Sequence, residues 1–311
     1  MNDARPPRAT LLVNPAARRV QRGFDPARLH RYLDRHTAGT RLAVPTSRAE
    51  AVRQARLAAE RGDDLVFALG GDGTQRDAAE GLAGSETALA ALPGGTVNIW
   101  CLEAGIPKSI RAAAEALLAG QTLRIDLGEA NGRPFLLMAS LGWDAAIARR
   151  VSPGVTRRLG DYAYMLQAAR MAPGLRSVQA RWRSGLMLYE RWLAMMVVSN
   201  TRIYGGRVQF TPESTATDGL LDIAALCPGT LLQTLRLAAK VPFGSLSGDR
   251  AVVELRAAEL SVETPGIPFQ LDGDYAGETP VVFSVSPGAL AVRVPRGPLP
   301  AVLAGSMPSN R

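Results

Sequence analysis

A buried strand runs directly into a glycine turn at residues 65–82, LVFALGGDGTQRDAAEGL, and this stretch constrains the fold most strongly. Residues 65–69 are all apolar, which is typical of a buried strand, and TQRDAAEGLAG after the turn predicts a short helix. In α/β proteins, ligands bind at the carboxyl ends of parallel strands, where amides at a helix start suit phosphate. A tight connection without a ligand is the simpler alternative. The residues predicted to form this phosphate turn are Gly70, Gly71, Asp72, Gly73 and Thr74.

A second glycine turn supports this interpretation. LPGGTVN at residues 92–98 also follows a short apolar strand and precedes a predicted helix. Two parallel strands would therefore present amide-rich turns on one edge of the sheet, and together the turns could grip a nucleotide. We expect Asp72 to hold Mg²⁺ or to anchor its turn, and Thr74 to cap the helix that follows.

The order of predicted elements divides the chain in two. Up to residue 122, strands and helices alternate, which predicts a doubly wound parallel sheet. From residue 123 to residue 311 most segments read as strands, and Asn131–Gly132 is a strong hairpin dipeptide. Only YAYMLQAARM and LLQTLRLAAK read clearly as helices there. We therefore predict an N-terminal α/β domain over residues 1–122 and a mainly antiparallel β domain over residues 123–311, whose last residues can pack back on the first domain.

Composition excludes several kinds of site. Two histidines, His30 and His36, lie on a predicted helix surface, and two cysteines, Cys101 and Cys227, cannot supply a zinc cluster. Any chemistry then depends on carboxylates, backbone amides and arginines. No apolar run reaches the roughly 18 residues of a membrane-spanning helix, and residues 1–10 lack the apolar core of a signal peptide. We therefore expect a cytoplasmic protein.

The charge balance favours anionic partners. The net charge is +8, and only Lys108 and Lys240 are lysines, so arginines dominate. Such an excess suits nucleotides, nucleic acid or acidic lipid headgroups, although an arginine-rich composition alone explains it equally well. Nucleic acid is disfavoured because only 5% of residues are aromatic and no basic segment interleaves them. The segment ARRVSPGVTRRLG, residues 148–160, is the predicted contact with an anionic membrane surface.

Several spaced motifs resemble one known family. Neither a GxxxxGK[ST] loop nor a GxGxxG fingerprint after the first strand is present. Instead, GGDGTxxD at residues 70–77, followed by LPGGTVN and GIP, resembles the diacylglycerol kinase catalytic-domain family, which includes bacterial diacylglycerol kinases, sphingosine kinases and ceramide kinases. Asn14 and Pro15 match the family's opening NP, and Thr46 matches a threonine that contacts nucleotide. SLGWDA, YGGRVQFTPESTATDGLLDI and FQLDGDYAGETP resemble landmarks of the second domain.

This resemblance implies an activity and its cofactors. Family members transfer the γ-phosphate of ATP to a lipid hydroxyl, using Mg²⁺, in a cleft between the α/β domain and a β-sandwich-like domain. The acceptor would be a diacylglycerol-like or sphingoid-like lipid at the inner face of the membrane, reached by peripheral contact. The residues implied to contact ATP are Asn14, Thr46, Gly70, Gly71, Asp72, Gly73, Thr74, Gly95, Thr96 and Asn98.

The resemblance also assigns carboxylates in the second domain. The DGE motif of the family is matched by LDGD, with Asp272 as the catalytic carboxylate and Asp274 at the glutamate position. A structural Mg²⁺ is implied at Asp218, together with the carbonyls of Thr215 and Leu220, because a hard cation takes oxygen ligands in a tight turn. In both places Asp-Gly is also compatible with a plain turn.

The sequence departs from the family at several positions. Ile99 follows Asn98 where family members often have aspartate, Asp77 replaces a glutamate, and Arg18 and Arg76 replace a glycine and an asparagine. The two arginines are candidates for direct phosphate contacts.

Three functions therefore stay open. A NAD kinase also carries a GGDGT turn and a β-rich second domain, but the longer second-domain landmarks favour a lipid kinase. Ile99 supports a non-catalytic lipid- or nucleotide-binding relative, whereas Asp72 and Asp272 oppose it. The acceptor lipid and the oligomeric state are not readable from the sequence.

Overall fold

A computed structural model of the chain describes residues 5–150, 177–205, 208–240, 246 and 248–305. The chain forms two compact units, one of Met1–Asp126 with Pro287–Arg311 and one of Leu127–Ser286. The chain thus leaves the first unit after Asp126, whereas the boundary drawn from the sequence lies after residue 122. The segment from Pro287 onward belongs to the first unit.

The first unit is built on a parallel sheet with strand order β2-β1-β3-β4-β16. From β1 the chain turns first to one side and then to the other, so the carboxyl ends of β1 and β3 flank the switch point of a doubly wound sheet. Strands β1, β3 and β4 are buried at every position. The strands are β1 Ala9–Val13, β2 Thr40–Ala43, β3 Leu65–Gly70, β4 Ala88–Pro93 and the later part of β16 Val281–Val294.

Helices connect these strands, and side chains cap the start of two of them. The Asp25 carboxylate accepts a hydrogen bond of 2.9 Å from the backbone of Ala27, and the Ser47 hydroxyl accepts one of 3.2 Å from Glu50. Gly81 allows the third and fourth helices to pack closely, since a Cβ there would lie 2.4 Å from the carbonyl oxygen of Val52. The helices are α1 Arg18–Gln21, α2 Pro26–His36, α3 Arg48–Glu60, α4 Asp72–Leu82, α5 Ile99–Glu103 and α6 Ile110–Leu118.

The second unit holds two antiparallel sheets around one apolar core. One sheet has the order β12-β11-β10-β7-β14-β15, and the other strand group has the order β16-β13-β8-β9. Trp182, Phe135 and Phe283 are among the largest side chains buried in this core. The strands are β5 Gln121–Ala130, β6 Arg133–Phe135, β7 Met138–Gly142, β8 Val178–Ser184, β9 Met187–Leu193, β10 Met195–Ser199, β11 Leu221–Leu226, β12 Val252–Ala257, β13 Glu259–Val262, β14 Pro268–Leu271 and β15 Asp274–Glu278.

In the described residues of this unit there are two helices, α7 Trp143–Arg150 and α8 Leu231–Lys240. The predicted hairpin at Asn131–Gly132 is confirmed, since both residues have positive φ, 49° and 76°, and they join β5 to β6. The segment LLQTLRLAAK forms α8 as expected, whereas YAYMLQAARM lies outside the described residues. No helix in the parts of the chain that the structure describes is both long and apolar enough to cross a membrane.

Candidate functional site

The two glycine turns of the first unit pack backbone against backbone. The amide of Gly94 donates to the carbonyl of Gly70 at 2.8 Å. A Cβ at Gly94 would lie 2.9 Å from the nitrogen of Gly70, and one at Gly95 would lie 2.6 Å from the Cα of Gly71. A Cβ at Gly70 would meet the hydroxyl oxygen of Thr74 at 2.2 Å. The backbone of the first turn therefore excludes side chains at Gly94 and Gly95, and the side chain of Thr74 excludes one at Gly70, whether or not a ligand binds.

The other two glycines of the first turn have a different environment. A Cβ at Gly71 would lie 3.4 Å from the Cα of Gly95, and one at Gly73 would meet only Arg76 Nη2, at 3.9 Å. Gly71 is the N-cap of α4, so Gly73 lies in the first helical turn. Packing does not demand glycine at residue 73, where alanine would favour the helix. Open space beside a helix N-terminus fits an approaching phosphate.

Asn14 and Thr74 link the ends of β1 and β3 at the switch point. The amide nitrogen of the Asn14 side chain donates to the Thr74 hydroxyl at 2.9 Å, and Asn14 Oδ1 accepts from the backbone of Ala16 at 2.9 Å. The prediction that Thr74 caps α4 is wrong, because the helix already begins at Asp72. Thr74 instead fixes the loop after β1 against the start of α4.

Side chains of the two turns hold the second turn in place. Asn98 adopts a left-handed conformation with φ 58°, and its Oδ1 accepts from the amide of Gly95 at 2.8 Å. Asp72 Oδ1 accepts from the backbone amide of Trp100 at 3.3 Å, which is the anchoring role expected for this carboxylate. Thr96 is exposed, and its hydroxyl accepts from Arg18 at 3.3 Å.

The two candidate arginines differ in their surroundings. Arg76 is buried and donates through Nε and Nη2 to Asp77 Oδ1, at 3.1 and 2.8 Å. Arg48 Nε lies 3.2 Å from the same carboxylate oxygen. Arg18, in contrast, is exposed and reaches the second glycine turn. Of the two, Arg18 is therefore the exposed guanidinium, whereas Arg76 is held by a neighbouring carboxylate.

Thr46 participates in the start of α3. Its amide and its hydroxyl both donate to Glu50 Oε2, each at 2.8 Å. The backbone hydrogen bond from Thr46, followed by the bond from its hydroxyl, holds the pKa of Glu50 below its ordinary value. The hydroxyl is exposed and keeps its lone pairs for a further donor.

In the second unit, Asp272 lies at the tip of the hairpin between β14 and β15. Asp272 and Gly273 have positive φ, 48° and 90°. Its Oδ2 accepts from the amide of Leu136 at 2.8 Å, and its Oδ1 accepts from those of Leu137 and Met138, at 2.8 and 3.0 Å. Backbone donors thus use three of the about four acceptor positions of a carboxylate. The side chain is therefore fixed. Asp272 and Gly273 form a hairpin turn, which was the alternative interpretation of this Asp-Gly pair.

A cluster of buried polar side chains around Gln270, which we call the Gln270 cluster, contacts this turn. Sequence reasoning missed it. Gln270 Oε1 accepts from the amide of Gly273 at 2.6 Å. The Gln270 Nε2 donates to the Ser140 hydroxyl at 2.8 Å and to Asp144 Oδ2 at 3.1 Å. Ser140 and Tyr204 also hydrogen-bond to Asp144.

Burial raises the pKa of Asp144, and the hydrogen bonds from Ser140, Tyr204 and Gln270 oppose that rise. The cluster therefore connects a buried carboxyl group to the turn that carries Asp272. Two signals pointed to it: Asp144 lies in the SLGWDA landmark, and Gln270 precedes Asp272 by two residues in an alternating strand.

The predicted cation site at Asp218 contains a salt bridge. Asp218 accepts from the Thr215 hydroxyl at 2.8 Å and from the amide of Leu220 at 3.0 Å. The guanidinium of Arg256 bonds to the same carboxylate and lies 3.0 Å from Asp222. Among the residues that the structure describes, no group of three or more His, Cys, Asp and Glu side chains could hold a metal ion. A cation on Asp218 would have to displace Arg256.

The arginine segment at residues 148–160 lies mostly outside the described residues. Within its described part, Arg149 lies in the last turn of α7 and pairs with Glu278 at 2.7 Å, and Arg150 ends the helix; both arginines are exposed. The membrane role predicted for the whole segment stays a prediction.

Comparison with known proteins identifies the family. The family model "Diacylglycerol kinase catalytic domain" matches residues 8–130, and the model "YegS C-terminal NAD kinase beta sandwich-like domain" matches residues 138–294. A "Probable lipid kinase YegS-like" of Pseudomonas aeruginosa is 35% identical over 272 residues, covering 84% of this chain and 87% of that protein. A "Diacylglycerol kinase" of Bacillus subtilis is 28% identical over 280 residues, covering 89% and 92%.

Solved structures confirm the fold. A putative diacylglycerol kinase from Bacillus anthracis superposes with a TM-score of 0.76 at 22% identity, covering 94% of this chain and 98% of that one. The fold class predicted from the sequence, an α/β domain followed by a β-sandwich-like domain, is thereby confirmed. The chain belongs to the diacylglycerol kinase catalytic-domain family.

Proposed function

We propose that this protein is an ATP-dependent lipid kinase that transfers the γ-phosphate of ATP to a lipid hydroxyl. The observation that carries the proposal is the pair of packed glycine turns at the switch point of the first unit, in which Gly73 alone has open space beside its Cα. Relatives that align with more than four fifths of this chain bear the names "Probable lipid kinase YegS-like" and "Diacylglycerol kinase".

On the nucleotide side, the N-terminus of α4 is assigned to the ATP phosphates. The amides of its first turn point beyond the helix end, where the helix dipole favours a negative charge. Arg18, held near Thr96, adds a cation, and Asp72 is the carboxylate placed to hold Mg²⁺. When bound, Mg²⁺ would neutralise part of the phosphate charge. Asn14, Thr46, Thr74 and Asn98 position this part of the chain through the bonds described above.

On the acceptor side, the turn at residues 272–274 is assigned the carboxylate that orients or deprotonates the lipid hydroxyl. Asp272 is our assignment for that group, because three hydrogen bonds from backbone amides hold its carboxylate in one orientation, as positioning requires. Asp274 is exposed in the same turn and is the second candidate, since backbone donors already use much of the acceptor capacity of Asp272. Gln270 of the cluster accepts a hydrogen bond from the amide of Gly273 and so stabilises this turn.

We also propose a structural Mg²⁺ at Asp218, shared with the carbonyls of Thr215 and Leu220. Binding would exchange the Arg256 salt bridge for the cation, so Mg²⁺ should raise the melting temperature of the wild type. Asp218→Asn should abolish that rise, whereas Glu213→Gln, an exposed carboxylate nearby, should keep it. An equal Mg²⁺ response in wild type and Asp218→Asn would contradict the site.

The test of the kinase proposal is incubation of the purified protein with γ-labelled ATP and Mg²⁺. The acceptors are diacylglycerol, a sphingoid base, NAD and a control without acceptor. Label in an organic-extractable product that depends on the lipid supports the proposal and identifies the lipid class. Label only in NAD would assign a NAD kinase instead, and nucleotide binding without transfer to any acceptor would assign a non-catalytic relative.

A further inference from the structure

The hairpin of β8 and β9 carries an apolar tip that its own fold does not require. The two strands are joined by Gly185 and Leu186, a two-residue turn in which Gly185 has φ 54°. Such turns usually take Gly, Asn or Asp, which water solvates well. Here Leu186 is 99% exposed and Met187 is 61% exposed, and Leu188 is exposed beside them. We call residues 186–188 the hairpin tip.

The inner face of the hairpin is anchored independently of this tip. Trp182 is fully buried in the core of the second unit, and its ring stacks on Tyr189 with centroids 5.5 Å apart. Because side chains alternate between faces of a strand, Leu188 and Trp192 point to the opposite face. Trp192 is 57% exposed. Core packing therefore explains Trp182 and Tyr189, and it leaves the exposed apolar residues unexplained.

Arginines flank the exposed apolar residues. The hairpin, residues 178–193, contains three arginines and one glutamate, a net charge of +2. Arg181 lies 3.6 Å from Glu190 and 3.1 Å from Glu263, and Arg183 lies 3.3 Å from Glu263. These pairs are half exposed, so their guanidinium groups can also meet anions from solvent. Arg183 pairs with Leu188 next to the tip, Arg181 pairs with Glu190, and Trp192 pairs with Gln179 farther along the same face. An apolar tip continued by a face with arginines and an aromatic ring fits contact with a membrane interface along that face.

We propose that the hairpin tip inserts into the surface of an anionic lipid bilayer, with Trp192 at headgroup level and Arg181 and Arg183 against the headgroups. The inference rests on the proposed function in one respect only, that the acceptor is a membrane lipid. A second copy of the chain is the competing occupant, because β9 ends its strand group and could pair through its edge. The bilayer is favoured because the most exposed apolar side chain is at the tip of the turn rather than along that edge.

The first test is sedimentation with vesicles of phosphatidylcholine, with and without phosphatidylglycerol. Leu186→Asn with Met187→Asn should lower the partition constant about tenfold for each side chain removed from the bilayer. The matched control is Leu232→Asn, a leucine of α8 that is 76% exposed in the same unit but outside the hairpin. It should bind within about twofold of the wild type. Equal binding by the double variant and the wild type, or an equal loss in the control, would overturn the proposal.

A second readout follows the depth of Trp192. Its fluorescence should be quenched by brominated lipid in the vesicles, and Trp192→Phe should remove most of that quenching, since Trp100 and Trp182 are buried and the half-buried Trp143 lies in α7, outside the hairpin. The double variant should lose transfer to vesicle-embedded lipid while it keeps transfer to detergent-dispersed lipid. Absence of all transfer would contradict the kinase proposal. The binding and quenching results would then test insertion into the bilayer by themselves. A change from oligomer to monomer in the double variant without lipid, with vesicle binding intact, would assign the tip to an interface between copies.

Discussion

The glycine turn of the first unit and the Asp272 turn of the second both depend on backbone amides, but they use them in opposite ways. At the start of α4, first-turn amides point beyond the helix end, toward the space left open beside Gly73. At the second turn, the amides of residues 136–138 point onto a carboxylate of the chain itself. At the first turn, Gly73 leaves space in which an anion from outside the chain can approach the amides. At the second turn, the carboxylate of Asp272 is itself the anion that the amides bind.

The largest effect, on kcat, is expected from replacing the carboxylate of Asp272. Asp272→Asn should lower kcat by about 10²- to 10⁴-fold, because an amide cannot accept the hydroxyl proton. It should also lower the free energy of unfolding by about 1–3 kcal/mol, because its NH₂ group would face a backbone N–H. Steady-state kinetics and urea unfolding measure the two effects.

Asp274→Asn is the comparison for this variant, since Asp274 lies in the same turn and is exposed. We expect it to lose less kcat than Asp272→Asn and little stability. Should Asp274→Asn lose the activity while Asp272→Asn loses only stability, Asp272 is a turn residue and Asp274 is the base.

The next effect tests the packing of the two glycine turns. Gly95→Ala would place its Cβ 2.6 Å from the Cα of Gly71, so the turns must separate. We expect a loss of about 1–3 kcal/mol in the free energy of unfolding, as for other overpacked sites. Thermal unfolding without nucleotide measures it. A melting temperature equal to that of the wild type would mean that the turns are not in contact.

Gly73→Ala tests the approach of the external anion. Its Cβ would lie in open space, 3.9 Å from Arg76, and alanine favours a helix over glycine by up to about 1 kcal/mol. We therefore expect unchanged or raised stability together with an ATP affinity about tenfold weaker, because the methyl group occupies the phosphate's side of the turn. Unchanged ATP affinity would place the nucleotide elsewhere.

The elements that carry these turns were predictable because their signals are local. A buried apolar run followed by glycines predicts β3 and α4, and Asn131–Gly132 predicts a hairpin. The reason for glycine at each position of the two turns was only partly predicted. The glycines of the first turn were expected to let the backbone approach an anion, but a side chain at Gly70 is excluded by Thr74, and side chains at Gly94 and Gly95 are excluded by the packing of the two turns.

The contacts that were missed link distant parts of the chain. Gln270 bonds to Asp144 across 126 residues, and Asp272 bonds to Leu136 across 136. No periodicity or turn chemistry reports such a pairing, because it depends on how β7 and β14 meet in the sheet. For the same reason, the sequence suggested that the last residues pack back on the first domain but did not give the residue, Pro287, at which the chain rejoins the first unit.

The smallest effect is a pH dependence of the free energy of unfolding, and it arises from Asp144 in the Gln270 cluster. Burial raises the pKa of Asp144 above its ordinary value of 3.8, so the folded state binds its proton more tightly than the unfolded state. The stability from this group is complete below that value and is lost as pH rises through the folded-state pKa. Asp144→Asn does not titrate, so its stability relative to the wild type should rise between about pH 4 and pH 8. A constant difference across this range would mean that Asp144 is ionised throughout.

Equilibrium ATP binding by three proteins, the wild type, Gly73→Ala and Asp272→Asn, tests the central claim most directly. The claim is that the first unit binds the nucleotide and the second supplies the carboxylate for the acceptor. Gly73→Ala should weaken ATP binding about tenfold, and Asp272→Asn should leave it within about twofold of the wild type while phosphoryl transfer falls at least about a hundredfold. An Asp272→Asn variant that loses ATP binding, or a Gly73→Ala variant that binds ATP as tightly as the wild type, would contradict that division of roles.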